Sequence, residues 1–74
     1  MRLDELKPGQ EGSVVDVLGE GGFRRRLLEL GLMPGTSIWR TGASPFGDPL
    51  SFQVRGAVLC LRRDDARAVV VTLS

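Results

Sequence analysis

The chain has no histidine and no tyrosine, a single cysteine, and only Trp39, Phe23, Phe46 and Phe52 as aromatics. Each shortage excludes something. Without histidine, the commonest general base and the commonest metal ligand are gone. Cys60 alone rules out an internal disulfide and suits a reducing compartment. It has no histidine to activate it, and between Leu59 and Leu61 it reads as a small, half-buried thiol in a strand. No apolar run approaches the roughly 20 residues of a membrane span. The opening Met1-Arg2-Leu3-Asp4 lacks the apolar stretch of a secretory signal, so a cytoplasmic protein is expected. The glycines fit neither the P-loop nor the dinucleotide fingerprint. Asp64 and Asp65 are adjacent, so in a strand or turn they diverge, and nothing pairs two carboxylates for glycosidase-type chemistry. A polyproline groove needs an aromatic lining, and Phe23 and Phe52 are taken by the core. The expectation is a protein without catalytic residues, without a cofactor and without a metal site in a single copy.

What is present describes one small globular domain over residues 1–74. Hydrophobic residues make up 42% and charged residues 26%, an ordinary globular balance rather than a disordered one. Typical stability per residue gives a chain this short about 4–10 kcal/mol. The net charge of +1 hides an uneven distribution. Residues 1–23 carry −3, residues 24–63 carry +5 and the tail carries −1. The basic middle is almost wholly arginine, and such a run is either a solvated face or a rim for an anionic partner.

Along the chain, Lys7-Pro8-Gly9 marks a turn, and Ser13 to Leu18 reads as a strand with Val15 and Val17 inward. After the glycine-rich breaker 19–22, Phe23, Leu27 and Leu30 fall at i, i+4 and i+7, with Leu28 widening the stripe of a short amphipathic helix. Gly31 follows as a left-handed C′ residue, and a Schellman ending would bring Leu32 against Leu27. Pro34-Gly35 turns the chain into a strand over 37–43. Leu50, Phe52 and Val54 are the inward residues of the clearest strand. Leu59 and Leu61 share a face of the next, and Val69 and Val71 share a face of the last; Arg63 to Ala66 is one helical turn. Five short strands with one inserted helix predict a mainly β protein, a small antiparallel barrel closed to hide its edges.

The motif RRRLLELGLMPGT, followed by SPFGDPL and VLCLRRDDARAVVV, resembles the FeoA family of small accessory proteins in bacterial ferrous-iron uptake. LDELKPGQEGSVVDV is similar to that family's opening, so the likeness covers nearly the whole chain. The resemblance implies an SH3-like barrel with the helix at the first long connection. It also implies a cytosolic protein that works with FeoB, the ferrous-iron permease with a cytoplasmic G-domain, and that is recruited by it to the inner membrane face. Ferrous sites draw on histidine with carboxylates or on clustered cysteines, so any iron connection runs through the partner unless copies share a site. Homo-oligomer formation stays open.

Contact residues for such a partner should be exposed apolar groups at rigid turns with charges at the rim. Leu32 and Met33 after the helix, Phe46 at the tip of the Ser44–Pro49 loop, and Trp39 if it faces outward are the candidates, with Arg24 and Arg25 at the rim. Trp39 cannot share a face with Ile38 and Arg40, so either Trp39 points out beside a snorkelling Arg40 or the register differs. Two other readings compete. GQEGSVVDV is loosely similar to the KOW strand of nucleic-acid-binding barrels, but net charge and aromatics are too few for stacking on bases. A stand-alone relative of the SH3-like domain of iron-dependent repressors is the second.

Overall fold

A computed structural model describes all residues 1–74. A 3-10 turn (Leu3–Glu5) precedes β1 (Glu11–Val17), α1 (Gly21–Glu29), β2 (Ser37–Ala43), β3 (Leu50–Val54), β4 (Ala57–Leu61), the single-turn helix α2 (Arg63–Ala66) and β5 (Val69–Leu73). The strands form one antiparallel sheet in the order β4-β3-β2-β1-β5, wrapped round one core. This is the five-stranded architecture with an inserted helix that the sequence predicts. The inward sets Leu50/Phe52/Val54 and Val69/Val71 are buried as expected. Leu3 and Leu6 are also fully buried. They carry no periodicity that would have marked them as core.

The helix ending is the Schellman motif expected from the sequence. The amide of Gly31 donates to the carbonyl of Leu28 (3.0 Å) and that of Leu32 to the carbonyl of Leu27 (3.3 Å). Gly31 sits at φ +101, and Leu27 and Leu32 are both fully buried. Gly31→Val forces a β-branched side chain into this left-handed conformation. It is expected to cost about 1–2 kcal/mol or more, read as a lower urea midpoint with an unchanged slope. Equal stability would remove glycine's role at this helix end. Gly12 is required for a different reason. A Cβ there would lie 2.9 Å from the backbone oxygen of Thr72 on the neighbouring β5.

The structure corrects several expectations. Val15 is not part of the core: the inward pair of β1 is Val14 and Val17. The register steps from Val14 opposite Val71 to Asp16 opposite Val70, so Val15 is an unpaired bulge residue. Everything before it changes face relative to a regular strand. On α1 only Leu27 is buried, with Leu28 half-buried, whereas Phe23 and Leu30 are exposed. The Phe23 ring folds over Gly19, where a Cβ would come within 2.9 Å of it. Cys60 is exposed rather than half-buried, because Leu59 and Leu61 take the inner face of β4 and leave Val58 and Cys60 outside.

The barrel hides only one of its edges. The outer side of β5 is covered by the N-terminus: Met1 exchanges two backbone hydrogen bonds with Val71 (3.0 and 2.8 Å), and Arg2 bridges Val70. β4 stands at the other end of the sheet and pairs with β3 alone. The expected closure is therefore absent between β4 and β5.

Candidate partner-binding surface

The arginine run on α1 splits into three fates. Arg24 is half-buried, its Nε donating to the carbonyl of Val17 (3.0 Å), which ties the helix to the end of β1. Arg26 reaches Asp65 on α2 at 3.5 Å. Arg25 is exposed and forms no ion pair, which leaves it as the free rim charge of this helix. In the turn that follows, the backbone decides which apolar residue is presented. The Schellman hydrogen bond pulls Leu32 inward until none of it is exposed, while Met33 stays half exposed. Leu32 is thus corrected from a contact residue to a core residue. Leu30, expected in the core, joins Met33 on the surface at the same corner.

Phe46 is the most exposed large hydrophobic residue, at 95%. Its loop is braced rather than loose. The amide of Gly47 donates to the carbonyl of Ser44 (2.8 Å), and the amide of Asp48 to Ser44 Oγ (3.2 Å). Asp48 Oδ1 accepts the amide of Arg63 (2.9 Å), and the Arg63 guanidinium donates back to the carbonyl of Gly47 (3.1 Å). The Gly47-Asp48-Pro49 motif therefore supplies the acceptor for the first N–H of α2, fifteen positions away in sequence. An apolar ring on a loop fixed in this way loses little entropy on docking.

Trp39 faces outward, 47% exposed, and Arg40 faces the core at 6%. This settles the alternative that the sequence left open. Glu11, Ser37, Gln53 and Arg55 flank Trp39 around a shallow cleft of about 170 Å³. Glu11, Trp39, Gln53 and Val58 are successive cross-strand partners through β1, β2, β3 and β4, so their side chains form one outward row. Val58 is strongly exposed in that row. It went unnoticed in the sequence, although the inward Leu59 and Leu61 imply an outward Val58.

The buried guanidinium of Arg40 donates to the carbonyls of Leu6 (2.7 Å) and Gly42 (2.8 Å) and lies 5.9 Å from the centre of the Phe52 ring. Its desolvation, with the nearby positive charge of Arg63, pulls its pKa below the ordinary arginine value. The ordinary value is so high that the group remains a cation at neutral pH.

The candidate residues do not gather in one place. Arg24, Arg25 and Met33 lie on α1 and its turn, next to the start of β2, whereas Phe46 lies in the loop beyond its last residue. Six residue steps of strand put these ends roughly 20 Å apart. Trp39 sits between them on the outer face of the sheet. No group of three or more Asp, Glu or Cys side chains is arranged to hold a metal ion. Anaerobic calorimetric titration with ferrous iron is accordingly expected to show no stoichiometric site; a sub-micromolar one-to-one isotherm would overturn this.

Comparison with known proteins agrees with this architecture. The FeoA domain family model matches residues 1–73. The chain is 38% identical over 73 residues to an Fe(2+) transport protein A/Fe(2+) transporter FeoB fusion protein of Porphyromonas gingivalis; the match covers 99% of this chain but only 9% of that protein. Among solved structures, the FeoA protein of Chlorobium tepidum superposes with a TM-score of 0.90 at 37% identity, covering 99% of this chain and 70% of that one. The FeoA of Stenotrophomonas maltophilia, described as a prokaryotic SH3 domain protein and solved with zinc, gives a TM-score of 0.85 at 33% identity, covering 97% and 89%. The barrel is thus SH3-like, and with the match running from the N-terminal turn into the last strand, the chain belongs to the FeoA domain family.

Proposed function

We propose that this chain is a non-catalytic accessory module of ferrous-iron uptake that docks on a FeoB-type permease, at the cytoplasmic face of the membrane. The observation that carries the reading is the Porphyromonas gingivalis relative, in which a domain 38% identical to this chain is part of one polypeptide with the FeoB transporter. Fusion holds two modules at high effective concentration, an arrangement suited to domains that meet repeatedly. A second support is the surface itself. Met33, Trp39 and Phe46 present apolar side chains from fixed backbone, with Arg25 as the free rim charge, whereas Arg24 is held by the carbonyl of Val17. No helix of the chain is long and apolar enough to cross a membrane; on this reading the partner provides the membrane anchor.

The test is a pull-down with the permease's cytoplasmic domain beside an iron-uptake assay. Met33→Asp and Phe46→Asp are expected to weaken both while leaving the circular dichroism spectrum and melting point nearly unchanged, since neither side chain is buried. Arg25→Glu should give a milder defect that salt masks, because rim charges act mainly on the association rate. The two apolar variants lie at opposite ends of β2, so a defect in only one maps the interface to that end. Normal binding and uptake by both folded variants would place the contact elsewhere.

A further inference from the structure

We infer that the outer edge of β4 is a docking site for an extended segment of another protein, one whose apolar centre is flanked by carboxylates. The backbone pattern comes first. Val54 and Ala57 flank the two-residue Arg55-Gly56 turn, and the pairing continues without a bulge to Leu50 opposite Leu61. In such a ladder alternate residues bond inward. Ala57, Leu59 and Leu61 therefore turn their N–H and C=O groups to β3, and Val58 and Cys60 turn theirs away from it. None of those four outward groups has a partner in the fold.

Natural sheets blunt such edges with lysine, proline, bulges or covering chain. The other edge of this sheet is covered by Met1 and Arg2, but β4 carries none of these devices: its sequence is Ala-Val-Leu-Cys-Leu. An added strand would exchange backbone hydrogen bonds with Val58 and Cys60, the mode by which extended peptides extend exposed sheet edges. Its inward side chain would cover Leu59, which is only half-buried, and its outward ones would lie beside the strongly exposed Val58.

Charge selects the occupant. Arg55 precedes β4 and Arg62 follows it, both exposed and neither in an ion pair. A second copy fits poorly. The two-fold register that pairs Val58 with the other copy's Cys60 sets Arg55 opposite that copy's Arg63, with Arg62 opposite its turn. A segment with acidic residues at both ends meets cations at both ends instead. This inference does not depend on the permease reading, and its test contains no permease.

The test titrates ¹⁵N-labelled protein with an acetylated peptide of alternating valine and threonine bearing two glutamates at each end, beside the same peptide with lysines for glutamates. The acidic peptide is expected to shift the Val58 and Cys60 amides and to slow their hydrogen exchange, with the lysine peptide binding about tenfold or more weakly. Val58→Pro removes only an outward N–H, which edge positions tolerate, and should abolish the effect. Should that variant fold poorly, Arg55→Glu with Arg62→Glu carries the test by reversing the preference between the two peptides. Equal binding of both peptides, or no shift at millimolar concentration, overturns the inference. So does sedimentation as a dimer without peptide and with Val58 and Cys60 protected, which would make the occupant a second copy.

Discussion

Leu32→Ala is expected to remove about 2–5 kcal/mol of stability, a large share of the about 4–10 kcal/mol typical of a chain of this size. Leu32 is fully buried against the core beside Leu27, and it reaches that position only because Gly31 reverses the chain. Truncation empties part of the contact that seats α1 on the barrel, and a nine-residue helix has too little intrinsic stability to hold itself. Met33→Ala, one residue later, should stay within about 0.5 kcal/mol, as substitutions at surface positions do. Urea unfolding followed by circular dichroism separates the two. A Leu32→Ala midpoint equal to the parent's would show that the turn, not the side chain, anchors the helix. This contrast separates Leu32, which the fold needs, from Met33, which the fold leaves free for the proposed docking surface.

The local features of this protein were legible in its sequence because their causes are local. The Schellman ending needs only Leu27, Leu28, Gly31 and Leu32 in order, and it formed as read. The clean alternation Leu50-Ser51-Phe52-Gln53-Val54 likewise gave the right face of β3. What failed depends on pairing between distant segments. The unpaired Val15 has no signature in its neighbours, since the bulge arises from how β1 must track β5. Phe23 and Leu30 satisfy helical spacing, but spacing cannot say which edge of a short helix meets the sheet. Asp48 looked like part of a turn motif, and its role as acceptor for the first amide of α2 appears only once the loop and Arg63 are adjacent. Among the site residues, the position of Leu32 two places after the helix cap already implied packing against Leu27, which conflicts with its place among the contact candidates, and the structure buries it while leaving Met33 exposed. It did identify the Trp39/Arg40 conflict as the place where the pattern breaks, and the break is resolved by burying the arginine.

That buried arginine leads to the other large effect. Arg40→Ala is expected to destabilise the fold by about 2–4 kcal/mol. The guanidinium joins two segments, the carbonyl of Leu6 before β1 and that of Gly42, just past the register shift of β2 against β3 between Arg40 and Gly42, while its central carbon lies 5.9 Å from the centre of the Phe52 ring. The backbone of the same residue is also bonded to this region, with Gly9 donating to the carbonyl of Arg40 and Arg40 donating to that of Gln10. Removing the side chain leaves a gap over Phe52 and strips the Leu6 carbonyl of its side-chain donor. Partly opposing this, it also removes a cation that is buried without a carboxylate partner, a burial that is itself unfavourable. Two further variants separate the contributions. Arg40→Met refills the space without the charge, so it should recover the packing but not the bridge. Arg40→Lys keeps the charge but gathers its donors on one nitrogen, so it cannot reproduce the separate donations of Nε to Gly42 and Nη1 to Leu6. The bridge predicts that both remain less stable than the parent, and that Gly9 exchanges its amide hydrogen faster in both. Since the group stays protonated in acid and at neutrality, the difference between Arg40→Met and the parent should not change with pH across that range. If Arg40→Met matches the parent in urea midpoint and in Gly9 protection, the arginine serves only as apolar bulk over Phe52.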